Sequence, residues 1–381
     1  MKNIYLDNNA TTPLLPEVFQ EIEESLKIFG NPSSPHAMGI SARKKMESSR
    51  QAIAEFINAD PAEIVFTSGG TESIATALNC ATSKISKKVI ITSAVEHAAV
   101  LEAVQRYGKI GFQSHYIEVD KNGNLNINDL NQKLKDNSGA FLSVMYVNNE
   151  TGVIFPINNI SEYAKQYGAL VHVDAVQAAG KIPIDVKKMN CDYLSLSVHK
   201  FHGLKGTGVL YIKKRAPYTA FIRGHQEKSR RGGTENVIGI VSLGAAARAI
   251  QSSFLSDTVR MKKLRDAFEN WVLGNFPNAF INGRKAERVC NTSSITLPGT
   301  DAALLVEDMS RQGLHVSTGA ACTTGGKPSH VLKAMGITDD LVSSSLRVSL
   351  SKQTTADEME SAFTIFSDTV NKIKIKPHAV S

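Results

Sequence analysis

Three stretches of this chain place chemically able side chains at the ends of apolar runs. Tyr193 to Ser197 alternate large and small residues and read as a buried strand, and Val198-His199-Lys200 follow directly. A lysine there must be paired or stripped of water, and partly desolvated lysines lose their proton readily and form Schiff bases. A surface lysine closing a strand fits the same pattern. Ala169 to Val173 is a second run and ends in Asp174, a carboxylate able to hold a protonated ring nitrogen or simply to open a turn. In the third, Glu63 to Phe66 lead into Thr67-Ser68-Gly69-Gly70-Thr71-Glu72-Ser73 and an alanine-rich helical stretch, Ile74 to Ala81. Small residues entering a helix leave backbone N–H groups and the positive dipole end exposed to an anion. A plain helix cap at Ser68 or Thr71 would look the same.

The elements that must position these groups follow from the alternation of short apolar runs with helical segments. The runs are 63–67, 88–92, 112–119, 140–147, 169–173, 193–197 and 207–212. This predicts an α/β fold with a mainly parallel, seven-stranded, doubly wound sheet and helices on both faces. Ligands of such sheets bind beyond the carboxyl ends of the strands, where all three groups fall. A helix is expected over about 16–28 with Val18, Ile22 and Leu26 on one face, and a longer one up to about Asn58. The Pro/Gly/Arg-rich stretch 216–236 reads as an exposed loop, followed by helical patterns over about 235–253 and 257–274. Strand-like 289–297, helical 302–312, strand-like 346–350 and a last helix from about Thr355 make a smaller α+β domain.

The chain has 381 residues, 42% hydrophobic and 21% charged, which suits two globular domains without low-complexity segments. Its net charge of +7 lies in small dispersed clusters without interleaved aromatic residues, against a nucleic-acid groove. No signal or membrane-spanning stretch is visible, so a cytoplasmic protein is expected. Cys80, Cys191, Cys290 and Cys322 have no zinc spacing and are too few for a disulfide framework. The first three read as inert small hydrophobes. Cys322 differs, because Gly319-Ala320-Ala321-Cys322-Thr323-Thr324-Gly325-Gly326-Lys327-Pro328 predicts an exposed loop, with Lys327 favouring the reactive thiolate.

Eight segments in order carry a resemblance over nearly the whole length: Tyr5 to Pro13, Gly30 to Ser34, Thr67 to Ser73, Glu96-His97, Val147 to Gly152, His172 to Gln177, Ser197 to Lys200 and Ser317 to Cys322. The chain resembles the fold-type-I pyridoxal phosphate enzymes. Within the class V aminotransferase family, it resembles the cysteine desulfurases of the nitrogen-fixation and iron–sulfur assembly type. That resemblance implies pyridoxal 5′-phosphate as cofactor and L-cysteine as substrate, with sulfur passed to Cys322 as a persulfide and on to an acceptor protein for cluster assembly or thiolation. It implies that Lys200 forms the Schiff base and shuttles protons, that Asp174 pairs with the ring nitrogen and that Gln177 bonds the ring hydroxyl. Thr71, Ser197 and His199 hold the phosphate, with Gly70 giving backbone access. His97 stacks on the ring and relays protons, and Asn149, or its neighbour Asn148, lies near the ring hydroxyl and the substrate carboxylate. Arg347 grips that carboxylate. Thr234 crosses a two-fold interface to the partner's phosphate, which makes the protein a homodimer. Residues 15–255 form the cofactor-binding domain, and 1–14 with 256–381 form the small domain carrying the cysteine loop.

The chain departs from the family pattern at Gly203-Leu204-Lys205-Gly206, where proline is usual, at Arg223-Gly224-His225-Gln226-Glu227, where two glycines are replaced, and at Ile74-Ala75. The cysteine loop is one residue shorter, and no long docking tail follows the last helix, which puts the usual scaffold partner in doubt. A selenocysteine lyase or related C–S lyase would keep the same Schiff-base residues without needing Cys322. A non-catalytic sulfur-pathway scaffold would not need Lys200 or Asp174, and both are present.

Overall fold

The computed structural model describes residues 3–85, 87–319 and 328–374. Its strands are β1 (Ile4–Tyr5), β2 (Ile64–Thr67), β3 (Val89–Ser93), β4 (Gln113–Ile117), β5 (Phe141–Met145), β6 (Leu170–Asp174), β7 (Tyr193–Ser197) and β8 (Gly208–Ile212), then β9 (Phe280–Ile281), β10 (Thr292–Thr296), β11 (Leu314–His315), β12 (Ser317–Thr318) and β13 (Ser345–Ser349). β2 to β8 form one seven-stranded sheet in the order β2-β8-β7-β6-β5-β3-β4. Only β8 runs against its neighbours, so the others share one direction and end along one edge. The expected mainly parallel sheet is therefore present. β2, β3, β5, β6, β7 and β8 are buried along their whole length or nearly so, as strands covered by helices on both faces must be.

The remaining strands build two smaller units. β12-β13-β10-β9 is antiparallel, and β1 pairs in parallel with β11. Their apolar core is separate from that of the large sheet and runs from Ile4 and Leu6 through Phe268, Ile295 and Leu346 to Val370. Stacked rings cement it: Trp271 and Phe363 lie 4.9 Å apart, tying the Phe254–Asn275 helix to the Ala356–Lys374 helix.

Two expectations need correcting. The first helix is Pro16–Ser25, and Leu26, placed on its apolar face, is 61% exposed because the helix ends before it. The stretch 216–236 is not exposed throughout. Glu227 is buried, accepting Arg50 Nη2 at 2.6 Å, Arg50 Nη1 at 3.0 Å and the Phe66 amide at 3.1 Å. That anchor holds Glu227, Lys228 and Ser229 in the left-handed region, at φ of 50°, 57° and 64°.

Among the described residues no single helix is long and apolar enough to cross a membrane; only the pair Val237–Gln251 and Phe254–Asn275, bent by 77°, passes by combined length and composition. No cluster of three or more metal-ligating side chains occurs among them either.

Candidate active site

The carboxyl ends of the parallel strands open onto a cavity of about 280 Å³. β2, β3, β5, β6 and β7 each bring one to three groups to it. Gly70 and Thr71 follow β2, His97 follows β3, Asn149 follows β5, Asp174 ends β6 with Gln177 just beyond, and Ser197 ends β7 with His199 and Lys200 after it. Arg347 reaches the same cavity from the middle of β13 in the small sheet. Ten residues singled out from the sequence thus line one space, although they span 70 to 347 in the chain.

The loop after β2 explains itself locally. The Gly70–Thr82 helix has Gly69 at its N-cap and no side-chain cap bond, so neither Ser68 nor Thr71 closes it. The Ser68 amide is taken instead by Glu72 Oε2 at 2.8 Å, and Glu72 is held by Arg231. Close packing dictates the glycines. A Cβ on Gly208 would sit 2.6 Å from the Gly69 backbone, and one on Gly70 would meet Val176 at 2.9 Å and Ser197 at 3.6 Å. An uncapped helix end beside Ser197 and His199 suits an anion.

Asp174 accepts the Val176 amide at 3.0 Å, and burial pushes its carboxyl above the ordinary range against the pull of His97 and Lys200. A cation placed against it would reverse that shift. His97 caps the Ala98–Gly108 helix by accepting the Ala99 amide on Nδ1 at 3.1 Å, which puts the neutral ring's hydrogen on Nε2. It therefore serves as the helix-start residue and as a cavity wall at once. Burial, with Lys200 and Lys205 nearby, brings His199 down to about 4, so its imidazole is neutral and bonds Thr11 Oγ1 at 3.2 Å.

Lys200 Nζ donates to the carbonyls of Asn9 and Ala10, each at 2.8 Å. Gln177 Nε2 donates to the same Asn9 carbonyl at 2.9 Å. Arg347 is 1% exposed; its Nη2 meets Asp7 at 2.7 Å, its Nη1 meets the Asn149 carbonyl at 3.1 Å, and its Nε has no partner among the described residues. Asn148 is spent on its own turn, with Oδ1 accepting from Glu150 and Thr151 and Nδ2 donating to Val95 O. Asn149 is the neighbour that faces the cavity.

Thr234 is exposed and does not line the cavity of its own chain, and Cys322 falls outside the described residues. The other three cysteines are buried and free; burial pushes Cys80 and Cys290 up to about 11 and Cys191 to about 12, far from thiolate chemistry. Sequence reasoning missed Asp7, Asn9 and Lys181. The first two sat in the N-terminal motif without a role, and Lys181 carried no periodic or motif signal.

The class-V aminotransferase family model matches residues 4–361. Cysteine desulfurase 2 of Trichormus variabilis is 40% identical over 378 residues, covering 98% of this chain and 94% of that protein. A solved NifS-like protein superimposes with a TM-score of 0.91 at 35% identity, covering 97% of this chain and 100% of that one. A solved SspA in complex with cysteine gives 0.76 at 28% identity over 92% and 99%. With this likeness running through every strand that lines the cavity, the chain belongs to the class-V aminotransferase family and, within it, to the cysteine desulfurases.

Proposed function

We propose that the protein binds pyridoxal 5′-phosphate in this cavity and converts L-cysteine to L-alanine, transferring the sulfur to Cys322 for delivery to an acceptor protein. The carrying observation is the convergence of Lys200, Asp174 and an uncapped helix N-terminus on one cavity that Arg347 also lines, its Nε without a partner among the described residues. The residues fit the cofactor: the amides of Gly70 and Thr71 with the Thr71, Ser197 and His199 side chains form an anion cradle, and Asp174 is a buried carboxylate in want of a cation.

When bound, the cofactor supplies an electron sink conjugated to the substrate α-carbon. The chain's residues do the rest. Asp174 would keep the ring nitrogen protonated, Gln177 and Asn149 would hold the ring hydroxyl, and His97 would pack on the ring. Arg347 fixes the substrate carboxylate, with Asp7 and the Asn149 carbonyl holding the guanidinium. Lys200 would move the proton at the substrate α-carbon. The Cys322 thiolate attacks the substrate sulfur. An S–S bond forms, the C–S bond breaks with its electron pair going to the β-carbon, and a proton there completes alanine. No outside oxidant or reductant enters.

Support for assigning the sulfur to Cys322 comes from the burial of the other three thiols. Residues 15–255 hold the cofactor, and 1–14 with 256–381 form the smaller unit, a division supported by the separate apolar core from Ile4 to Val370, while Val289, Val331, Leu332, Met335 and Val342 pack into the core of the large sheet. The reading includes a homodimer with Thr234 reaching the partner's cradle, supported by its exposure, and a cytoplasmic location, where free thiols stay reduced. Iron–sulfur assembly or thiolation would consume the sulfur.

The test is mass spectrometry after incubation with cysteine. Added sulfur, removable by a reductant, is expected on the Cys322 peptide and on no other, with alanine released. Cys322→Ser should still take up the cofactor and change its spectrum with cysteine, yet release almost no alanine. Wild-type turnover in Cys322→Ser would overturn the desulfurase mechanism in favour of a C–S lyase that needs no thiol.

A further inference from the structure

Behind the cavity wall sits a buried amine that the reaction above does not use. Lys181 is 8% exposed and donates to Gln177 Oε1 at 2.6 Å. Gln177 in turn donates from Nε2 to the Asn9 carbonyl, which also receives Lys200. Lys181, Gln177, Asn9 and Lys200 therefore form one hydrogen-bonded chain, with Gln177, Asn9 and Lys200 facing the cavity and Lys181 behind it.

The chain fixes which way the Gln177 amide points. A carbonyl only accepts, so Asn9 requires Nε2 on its side, and an ammonium only donates, so Lys181 requires Oε1 on the other. Both ends demand the same orientation. With Oε1 occupied and one N–H given to Asn9, the second N–H is what Gln177 can offer the cavity. The groups facing Lys181 are Lys200, Cys290 and Arg347, with His202, Asp257 and Lys352 around the small space it shares with Lys200. Burial brings its ammonium down to about 7, helped by Lys200, so this amine is costly to keep where it is.

We propose that Lys181 is a positioning residue that locks the Gln177 amide with its N–H toward the cofactor's ring oxygen. This rests on the reading that Gln177 faces that oxygen. A donor there stabilises the ionised oxygen and so lowers the pH at which the visible cofactor band changes.

The experiment compares Lys181→Met, Gln177→Leu and the double variant by equilibrium dialysis of the cofactor and by pH titration of its visible band, without substrate. Methionine keeps the length and removes a buried charge, a change proteins often tolerate; Lys181→Gln, retaining a shorter donor, should give an intermediate reading and serves if the methionine variant does not fold. Lys181→Met should weaken retention by roughly three- to tenfold and raise the band's midpoint, as Gln177→Leu does. The double variant should be no worse than Gln177→Leu alone, because one acts through the other. Additive losses, or a Lys181→Met midpoint equal to wild type while Gln177→Leu shifts, would overturn the positioning role alone. A wild-type protein that takes up no cofactor would overturn the proposed function with it.

Discussion

Arg347 Nη2 donates to Asp7 Oδ1 at 2.7 Å, joining the centre of the small antiparallel sheet to the start of the chain. The contact, together with Nη1 on the Asn149 carbonyl, holds the buried guanidinium in place, and Nε has no partner among the described residues. Arg347→Lys loses the fork and should raise KM for cysteine by roughly tenfold or more, about 1.4 kcal/mol per decade, with cofactor retention unchanged. Asp7→Asn should move KM the same way by less. Steady-state kinetics with cofactor dialysis separates the two effects, and lost retention in Arg347→Lys would contradict a substrate role.

Asp174 is the test of the electron sink. Asp174→Asn keeps the shape and removes the charge, so cofactor should still bind while turnover falls at least about tenfold, given roughly 1.5–3 kcal/mol for a charge-assisted bond. Near-normal turnover would place the ring elsewhere.

Thr234 tests subunit sharing. Lys200→Ala and Thr234→Ala should each be impaired as homodimers. Mixed and re-associated, they should regain activity, because each hybrid would hold one intact Lys200 facing one intact Thr234. No recovery, or full activity in a species sedimenting as a monomer, would remove the interface argument.

Acid stability should depend on His172. It is fully buried between Ser143 Oγ at 2.9 Å and Ser195 Oγ at 2.8 Å, and burial brings its imidazole down to about 3. The unfolded state takes up a proton below its ordinary value of 6.5 and the native state does not until about 3, so stability falls as pH drops through that window. At pH 5 the loss from this one group is about 2 kcal/mol. Denaturant titrations at pH 7 and 5 should show it, and His172→Asn should flatten the difference; an undiminished acid loss in that variant would assign it to other groups.

Much of this was legible in the chain because strand ends are marked by apolar runs that stop abruptly. Asp174, Ser197 and Lys200 follow such stops, and a doubly wound sheet gathers them at one edge whatever the loops do. Lys181 was not legible, since a lysine in Gly180-Lys181-Ile182-Pro183 acquires meaning only when the fold sets Gln177 and Asn9 beside it. Leu26 misled because helical spacing continued past the true end of the helix. Glu227 was hidden for a similar reason. Its partner Arg50 lies 177 residues away, and only tertiary pairing buries a charge in a polar, glycine-bearing stretch.

The N-terminal segment carries a further consequence, for how the protein is made. Asn8 Nδ2 donates to the Ser349 carbonyl, 341 residues downstream, Asn9 Nδ2 donates to Thr292 Oγ1, and Lys200 is held by the Asn9 and Ala10 carbonyls. The ribosome makes Asn8 341 residues before Ser349. At roughly 5–20 residues per second, the opening segment waits on the order of 15–70 s for its partners. The large sheet can form before Ser349 is made, but the finished pocket cannot. Cofactor capture then waits until Ser349 has emerged, and a nascent chain stalled before Ser349 should leave Asp7 to Ala10 open to protease while β2 to β8 are already protected.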